Sequence, residues 1–413
     1  MSQFEVVRDP LWNNIRLEPE ALAVLDTPAV QRLRYVRQLG HAFLVYPGAT
    51  HTRFEHALGA YHLARRVVAE LTDADSAEGL AIRLAALLHD IGHYPFSHAL
   101  EEAGLPRHET LASRHLTAGA LATTLERLGV PAARLLPLIQ GTSPAPLSGI
   151  VAGSLDVDKL DYLSRDATMC GVPYGVIDVD RLLTSLTLAD GRLALHSKGL
   201  AALESLLFAK YQMYRNVYWH HAVRSATAMF KRLVRRAIAA GRVTPDEIAV
   251  ATDDGLSHEL QQRDQTGLAR ALRERRLAKR ALDIPGTELP TETADWPARD
   301  PDLQQRVEER LARELGLGAD ELFLDFPAKP EMLDVAIPVV GRAGSAAEHL
   351  GLPRVAAELH RSAQRLRVFA LSPVEVPARA IVELVTWPRE EVEARLEGER
   401  ALLSAAGWPS AAS

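Results

Sequence analysis

Apolar residues recur at the three- and four-residue spacing of amphipathic helices over most of the first 240 residues. This pattern predicts helices at residues 56–71, 79–90, 150–169 and 199–239. The second segment is apolar on nearly all sides, which indicates a helix in the centre of the protein. Gly92 and Pro95 should end that helix just after residue 90. Residues 4–7 and 15–17 flank the turn-rich segment DPLWNN and predict a short strand pair.

The pattern changes at Val243. Polar and charged helices are expected up to about residue 281, and residues 283–301 have the proline, threonine and acidic content of a loop or linker. A short charged helix at 301–315, strands at 321–326, 333–340 and 366–371, and an amphipathic helix at 389–406 follow. We therefore predict a mainly α protein in three parts: a helical catalytic core (1–240), a helical extension and linker (241–300) and a smaller α+β C-terminal region (301–413).

Composition limits which cellular compartment and which binding partners are expected. The single cysteine, Cys170, excludes an intrachain disulfide and favours a reducing environment. The first twenty residues lack the apolar segment of a signal peptide, and no apolar run reaches the roughly 20 residues that span a bilayer. We therefore expect a cytoplasmic protein without a membrane partner. The net charge of −6 disfavours a surface that coats nucleic acid, although it leaves room for a local basic pocket.

Candidate chemistry centres on His89 and Asp90, which interrupt the apolar segment LAALLHDIGHYPFSH. A carboxylate beside an imidazole at the end of a buried helix is costly unless a metal ion compensates it. His56, in RFEHALGAYHLA, and Asp158, in LDVDKLDYLSRD, would complete a set of two imidazoles and two carboxylates. Such a set leaves coordination positions open, as in a catalytic site.

The donor types favour Mn²⁺, Mg²⁺ or Fe²⁺ over structural zinc, because no cysteine lies near these positions. Two carboxylates cancel the charge of a divalent ion, so an anionic substrate would need nearby cations. Arg53, three residues before His56, and Lys159, directly after Asp158, supply them. These neighbours point to a phosphate group as the substrate.

Three further groups stand at suggestive spacings. Asp158, Tyr162 and Arg165 share one helix face, which would combine a metal ligand, a hydroxyl donor and a guanidinium. The stripe at 210, 214 and 218 is compatible with a mixed pocket wall or with plain core. One of the histidines at positions 93, 98 and 108, the last followed by an acid at 109, would serve as general acid, or the segment GHYPFSH would orient the ligands instead.

Five motifs then follow one another along the chain: DPLWNNIRL, LDTPAVQRLRYVRQLG, YPGATHTRFEHALGAYHLA, LLHDIGHYPFSH and DVDKLDYLSRD. In this order they resemble the HD-domain phosphohydrolases, whose ligand pattern is H…HD…D, and within them the deoxynucleoside triphosphate triphosphohydrolase branch. The resemblance covers roughly residues 1–235 and becomes loose beyond them. It implies a helical HD-domain core that cleaves dNTPs with a divalent metal ion.

The resemblance also implies a role for each matching residue. The metal ligands would be His56, His89, Asp90 and Asp158; the triphosphate would contact Arg53, His93, His98 and Lys159; and the catalytic relay would include His108 and Glu109. The deoxyribose would meet Gln38, Leu39, Tyr162, Asp166 and Tyr218, with Lys210 in the same pocket. An apolar Leu39 at C2′ would leave a ribose hydroxyl unpaired, which discriminates modestly against ribonucleotides.

Members of this branch often form oligomers with a nucleotide activator at the subunit interface. The resemblance therefore implies dNTPs as partners, a homo-oligomer (dimer or tetramer), and an activator site at Asp26, Gln31, Arg32 and Arg34. Glu5 stands where activated vertebrate members carry a lysine near phosphate, and its carboxylate would repel a triphosphate. Whether a nucleotide activator is needed therefore stays open at this point.

Two alternatives to dNTP hydrolysis remain. The same metal chemistry would suit a nucleotide phosphatase, or a phosphodiesterase or exonuclease that admits a few nucleotides of single-stranded nucleic acid, although the acidic net charge disfavours a long track. A non-catalytic nucleotide-binding regulator is the weakest reading, because all four ligands are present.

Overall fold

The computed structural model describes residues 4–327, 332–333, 335–398 and 400–403. Its N-terminal part is a body of helices with two antiparallel hairpins, β1–β2 and β3–β4. The helices are α1 (Pro19–Leu25), α2 (Pro28–Gln31), α3 (Arg53–Leu71), α4 (Ala77–Leu88), α5 (His108–Leu116), α6 (Gly119–Arg127), α7 (Ala132–Ile139), α8 (Val157–Cys170), α9 (Val179–Leu183), α10 (Leu200–Met213) and α11 (His221–Ala239). The strands are β1 (Glu5–Asp9), β2 (Asn13–Leu17), β3 (Leu186–Ala189) and β4 (Arg192–Leu195).

The C-terminal part combines helices with one three-stranded sheet of order β5-β7-β6, antiparallel throughout. Its strands are β5 (Lys279–Pro285), β6 (Leu322–Asp325) and β7 (Arg365–Ala370). Its helices are α12 (Pro245–Val250), α13 (Asp253–Arg263), α14 (Leu268–Arg273), α15 (Trp296–Arg299), α16 (Pro301–Glu314), α17 (Ala346–His349), α18 (Ala356–Ala363), α19 (Ala378–Leu384) and α20 (Arg389–Glu397). The predicted fold class, mainly α with an α+β C-terminal region, is confirmed.

Helix α3 is the element that positions the site, because it packs against both α4 and α8. A capping box between Thr52 and Glu55 fixes its start. Ser76 caps α4 by accepting a hydrogen bond from Gly79 N. The apolar character predicted for α4 is confirmed: its residues from 81 to 88 are all buried. The helix ends at Leu88, so that the following histidine and aspartate leave the helix at the point where α3 and α8 approach.

Several predicted boundaries are wrong. The segment 150–169 becomes helical only at Val157, where Asp156 supplies the N-cap. The segment 199–239 is two helices, since the π-helical turn Tyr214–Tyr218 and two further residues separate α10 from α11. Residues 283–301 hold the end of β5 and the short α15 as well as loop. Strand β5 lies at the edge of its sheet and contains several polar residues, so its sequence lacks the alternation of apolar and polar positions that predicts a strand.

The strand predicted at 333–340 is also wrong for the described residues of that range. Val339 and Pro338 form isolated bridges, to Leu195 and Ser345, rather than a strand. The final helix ends at Glu397, and residues 404–406 of the prediction lie outside the described part. The described helices include none that is long and apolar enough to cross a bilayer.

Candidate metal centre and histidine cluster

The structure brings the four predicted metal ligands together. His56 comes from α3, His89 and Asp90 directly follow α4, and Asp158 lies in the first turn of α8. His56 Nε2 lies 3.1 Å from both His89 Nε2 and Asp158 Oδ1. His89 Nε2 lies 3.5 Å from Asp158 Oδ1 and 3.5 Å from Asp90 Oδ1. Donor atoms of His56, His89 and Asp90 thus lie within 4.8 Å of one another, and Asp158 contacts both imidazoles.

Both imidazoles turn Nε2 towards Asp158 because their Nδ1 atoms are held from behind. His56 Nδ1 donates to Asp161 Oδ2 at 2.8 Å, and His89 Nδ1 donates to Ala86 O at 2.8 Å. Acceptors at Nδ1 place the hydrogen there and leave Nε2 for a metal ion. Asp161 was not predicted. Its signal was its place one helical turn after Asp158, within the same motif.

The charges of the group suit a cation. Burial by itself would lower the pKa of His56, but hydrogen bonds to Asp158 and Asp161 outweigh it and raise this pKa to about 10. Burial would raise the pKa of Asp90, but the positive charges of Arg53 and His89, together with a hydrogen bond from His93, hold it well below its usual range. The charged forms of Asp90 and Asp158 are thus favoured, and so is the protonated form of His56, as expected where a cation is stabilised.

The residues present therefore fit a divalent ion. Two imidazole Nε2 atoms 3.1 Å apart repel each other unless a proton or a cation lies between them. Two imidazoles and two carboxylates, without a thiolate, are donors that Mn²⁺, Fe²⁺ or Mg²⁺ accepts with further positions open.

A second group lies beside the first and consists of His93, His98, Glu101 and His108, whose candidate donor atoms lie within 4.8 Å of one another. The rings at 93 and 108 stack with centroids 3.7 Å apart. His93 Nε2 and His108 Nε2 lie 3.1 and 3.9 Å from Asp90 Oδ1. Asp90 therefore stands between the metal group and this histidine cluster.

Glu101, which was not predicted, connects two histidines of the histidine cluster. Its two carboxylate oxygens accept from His108 Nδ1 at 2.6 Å and from His98 Nδ1 at 3.1 Å. Glu109, predicted as the partner of His108, lies farther from that nitrogen, at 3.6 Å, and its other oxygen accepts from Arg107. Glu101 could have been predicted from its position three residues after His98. The prediction named Glu109 instead, which directly follows His108.

The residues of the histidine cluster differ in their favoured protonation states. Burial lowers the pKa of His93 well below its usual value, and the positive charges of Arg53 and His108 lower it further. Burial would raise the pKa of Glu101, but hydrogen bonds from His108 and His98 lower it overall. His93 is therefore neutral, while the charged Glu101 keeps the Nδ1 hydrogens of its two partners in place.

Several predicted sugar-contacting residues have well-defined surroundings. Asp166 accepts from Tyr218 Oη at 2.7 Å and pairs with His51 Nε2 at 2.8 Å. The ring of Tyr162 lies 6.5 Å from that of His56. Gln38 is buried, and its Oε1 lacks a hydrogen-bond partner among the described residues. His51 is a further residue that the sequence did not single out.

Three cationic side chains near the site are paired with protein groups or buried. Lys159 Nζ donates to Asp156 Oδ2 at 2.6 Å and to Gly153 O at 2.9 Å, although its side chain is still 21% exposed. Arg165 stands seven residues after Asp158 on α8, but its guanidinium is buried in ion pairs with Asp9 and Asp161. Lys210 is also buried, at 4% exposure, within α10. A ligand contact by Arg165 is therefore excluded by its own partners.

The predicted activator residues differ in their exposure and contacts. Asp26 and Arg34 are exposed, and Arg34 stacks on Phe54 while donating to Gln31. Arg32 instead turns inwards and donates to three backbone carbonyls, of residues 91, 93 and 251. These bonds occupy both terminal nitrogens of Arg32, whereas its buried Nε lacks a partner among the described residues, and the nucleotide contact of Arg32 stays a prediction.

Comparison with protein families agrees with this geometry. A family model described as HD domain matches residues 53–166, which contain all four predicted metal ligands. A second, described as HD associated region, matches residues 177–379. The chain thus carries an HD domain followed by an HD associated region, and HD domains bind divalent metal ions.

Individual relatives cover parts of the chain. An uncharacterized protein of Methanocaldococcus jannaschii is 37% identical over 257 residues, 61% of this chain and 54% of that protein. The deoxynucleoside triphosphate triphosphohydrolase SAMHD1 of Gallus gallus is 29% identical over 262 residues, 52% of this chain and 42% of that protein. The chain thus spans about half the length of these curated relatives. A hypothetical protein from Aquifex aeolicus has a similar solved structure, with a TM-score of 0.72, 28% identity, and coverage of 97% of this chain and 100% of that one.

Proposed function

We propose that this HD-domain phosphohydrolase hydrolyses deoxynucleoside triphosphates to a deoxynucleoside and inorganic triphosphate. The observation that carries the proposal is the arrangement around Asp90, whose Oδ1 lies 3.5 Å from His89 Nε2 in the metal group and 3.1 Å from His93 Nε2 in the histidine cluster. A metal ion and a proton donor would therefore act on one phosphorus atom from adjacent positions.

Binding of the triphosphate is supported by a buried cation. Arg53 is 3% exposed, and its guanidinium bonds Asp90 and, at 3.2 Å through Nε, Ser97 Oγ. An arginine already oriented in this way stabilises negative charge without further reorganisation. Lys159 and His98 are nearer to solvent and would serve the outer phosphates.

Recognition of the sugar is supported by one face of α8. Asp158, Tyr162 and Asp166 stand four residues apart, so they form a row that leads away from the metal group. The row ends at the hydrogen bond between Asp166 and Tyr218. Similarity to the SAMHD1 triphosphohydrolase of Gallus gallus over 262 residues supports a deoxynucleotide as the substrate.

In the proposed reaction, the oxygen of water adds to the α-phosphorus while the bond from that phosphorus to O5′ breaks. The bound metal ion would act as a Lewis acid towards the α-phosphate. Arg53 offsets the charge that develops on the phosphate oxygens. His108, whose Nδ1 hydrogen is held by Glu101, offers Nε2 to carry a proton to the departing O5′.

Product analysis tests the proposal. The purified chain is incubated with Mn²⁺, Mg²⁺ or Fe²⁺ and each dNTP, and the products are separated by ion-exchange chromatography. Triphosphate and deoxynucleoside in equal amounts are expected, with loss of turnover in Asp158→Ala. Orthophosphate would indicate a nucleotide phosphatase, degradation of labelled oligonucleotides a phosphodiesterase or exonuclease, and binding without turnover a regulator; each would overturn the proposal.

A further inference from the structure

The turn inside the histidine cluster is strained at two consecutive residues. Phe96 and Ser97 both have φ of +58°, in the left-handed region that residues with a Cβ rarely adopt. The turn connects His93 to His98, so its shape decides where both imidazoles point. Strained backbone of this kind persists where surrounding groups hold it.

A carboxylate 157 residues farther along the chain holds this turn. Asp253, in the first turn of α13, accepts a hydrogen bond from Phe96 N through Oδ1 at 2.9 Å. Its Oδ2 accepts from Arg37 N at 3.1 Å and from the Arg37 guanidinium at 3.3 Å. The side chain is 2% exposed. One buried carboxylate therefore ties together two segments of the core that are distant in sequence.

Both segments lead directly to residues of the site. Ser97 Oγ lies 2.8 Å from Arg37 O and 2.9 Å from Gln38 O. The same oxygen accepts from Arg53 Nε at 3.2 Å. Arg53 in turn bonds Asp90. A shift of the turn would consequently move the arginine on Asp90 and the backbone of Gln38 together.

Arg32 provides an independent contact between the same parts of the chain. Its guanidinium donates to Ile91 O at 3.1 Å, to His93 O at 2.8 Å and to Ala251 O at 2.8 Å. The segment 251–253 therefore meets the loop after α4 at two places. The loop is held at its beginning through Arg32 and at its strained turn through Asp253.

We propose that Asp253 is a positioning residue, through which the HD associated region holds the loop between His93 and His98 in its reactive geometry. The carboxylate touches neither metal ligands nor a substrate position. It acts by occupying the Phe96 amide, which would otherwise be free to leave the left-handed turn.

Hydrogen exchange measured by mass spectrometry tests the proposal without any assumption about activity. Asp253→Ala is compared in the full chain with Asp254→Ala, which removes the same charge from an exposed neighbour in the same helical turn. Peptides covering residues 91–98 should exchange about tenfold faster in the first variant and at the wild-type rate in the second. Peptides of α3 should be unchanged in both. An equal increase in the exchange rate of the α3 peptides, or an unchanged exchange rate at residues 91–98, would overturn the proposal.

The kinetic consequence rests on the proposed function. Asp253→Ala should lower kcat about 10- to 100-fold with a smaller change in KM and with full metal content, because misplacement rather than loss of ligands is responsible. Asp253→Asn keeps an oxygen acceptor for Phe96 N and should recover part of the rate. It also replaces the alanine variant if that one does not fold.

An asparagine variant no better than alanine, or a change confined to KM, would overturn the positioning role. If the wild-type chain turns over no dNTP, the proposed function fails, whereas the exchange measurement still decides whether Asp253 holds the loop.

Discussion

Glu101 illustrates how the site works at the scale of single residues. It bonds His108 at 2.6 Å and His98 at 3.1 Å, while Glu109, the sequence neighbour of His108, lies 3.6 Å from the same nitrogen. Replacing Glu101 with Gln should lower kcat about 100-fold or more, because the carboxylate that orients the proton-carrying histidine loses its charge. Glu109→Gln is the matched control and should retain most of the rate.

The measurement is steady-state hydrolysis with metal content determined on the same samples. Both variants should bind the full amount of metal, since neither residue is in the metal group. A larger loss of kcat in Glu109→Gln than in Glu101→Gln would show that the relay runs through the adjacent acid instead.

The raised pKa of His56, about 10, makes metal binding depend on pH. In the metal-free protein, protonated His56 contributes stability that is complete below its ordinary pKa of 6.5 and is lost as pH rises towards 10. A metal ion displaces that proton, so metal affinity should rise with pH. The difference in Tm between metal-loaded and chelator-treated protein should therefore grow from pH 6.5 to about pH 8.5. A constant or shrinking difference would contradict the assignment of His56.

At the scale of elements, the contact between α3 and α8 depends on Gly59. A Cβ at this position would lie 1.7 Å from Asp161 Oδ1 and 2.5 Å from Arg165 Nη2. These side chains cannot move aside, because Asp161 also holds His56 and Trp12. Gly59→Ala should therefore separate the two helices.

We expect this variant to lose about 1–3 kcal/mol of unfolding free energy and to bind metal about 10- to 100-fold more weakly. Urea denaturation and a chelator competition measure the two effects. Gly149→Ala is the control, since the atoms nearest to its Cβ would lie at 3.6 Å, an ordinary contact. Wild-type metal affinity in Gly59→Ala would show that the helix spacing does not control the ligands.

At the scale of the molecule, an ion-pair network that is buried except at Glu102 joins the HD core to the C-terminal sheet. Arg224 of α11 donates to Asp325 of β6 at 2.6 Å and to Glu102, beside the histidine cluster, at 2.9 Å. Asp325 also accepts from Arg367 of β7 at 3.3 Å. Removing one member leaves the others as uncompensated buried charges.

Arg224→Ala should accordingly lower the free energy of unfolding by about 3–5 kcal/mol. Urea denaturation measures this, with Arg270→Ala as the control, because Arg270 pairs with Glu274 on the exposed surface and its loss should have little effect. Equal stability of the two variants would mean that the network does not hold the sheet to the core. The predicted homo-oligomer stays a prediction, which light scattering on the same samples addresses.

The sequence by itself determined the local chemistry. The periodicity of α3 and α4, the four metal-ligand candidates and the helical class of the core were all predictable, because each depends on spacing within a few turns of chain. Family motifs added the expected sugar-contacting residues. The division into three parts remains a prediction.

Only the tertiary structure decided which groups meet across long sequence separations. Asp161 behind His56, Asp253 on Phe96, and the pairing of Asp9 with Arg165 join residues more than one hundred positions apart. No local pattern encodes such contacts, since the energy that selects them is the burial of charges against specific partners. The same reason explains why the contacts of Arg32 with backbone carbonyls far away in the sequence could not be predicted.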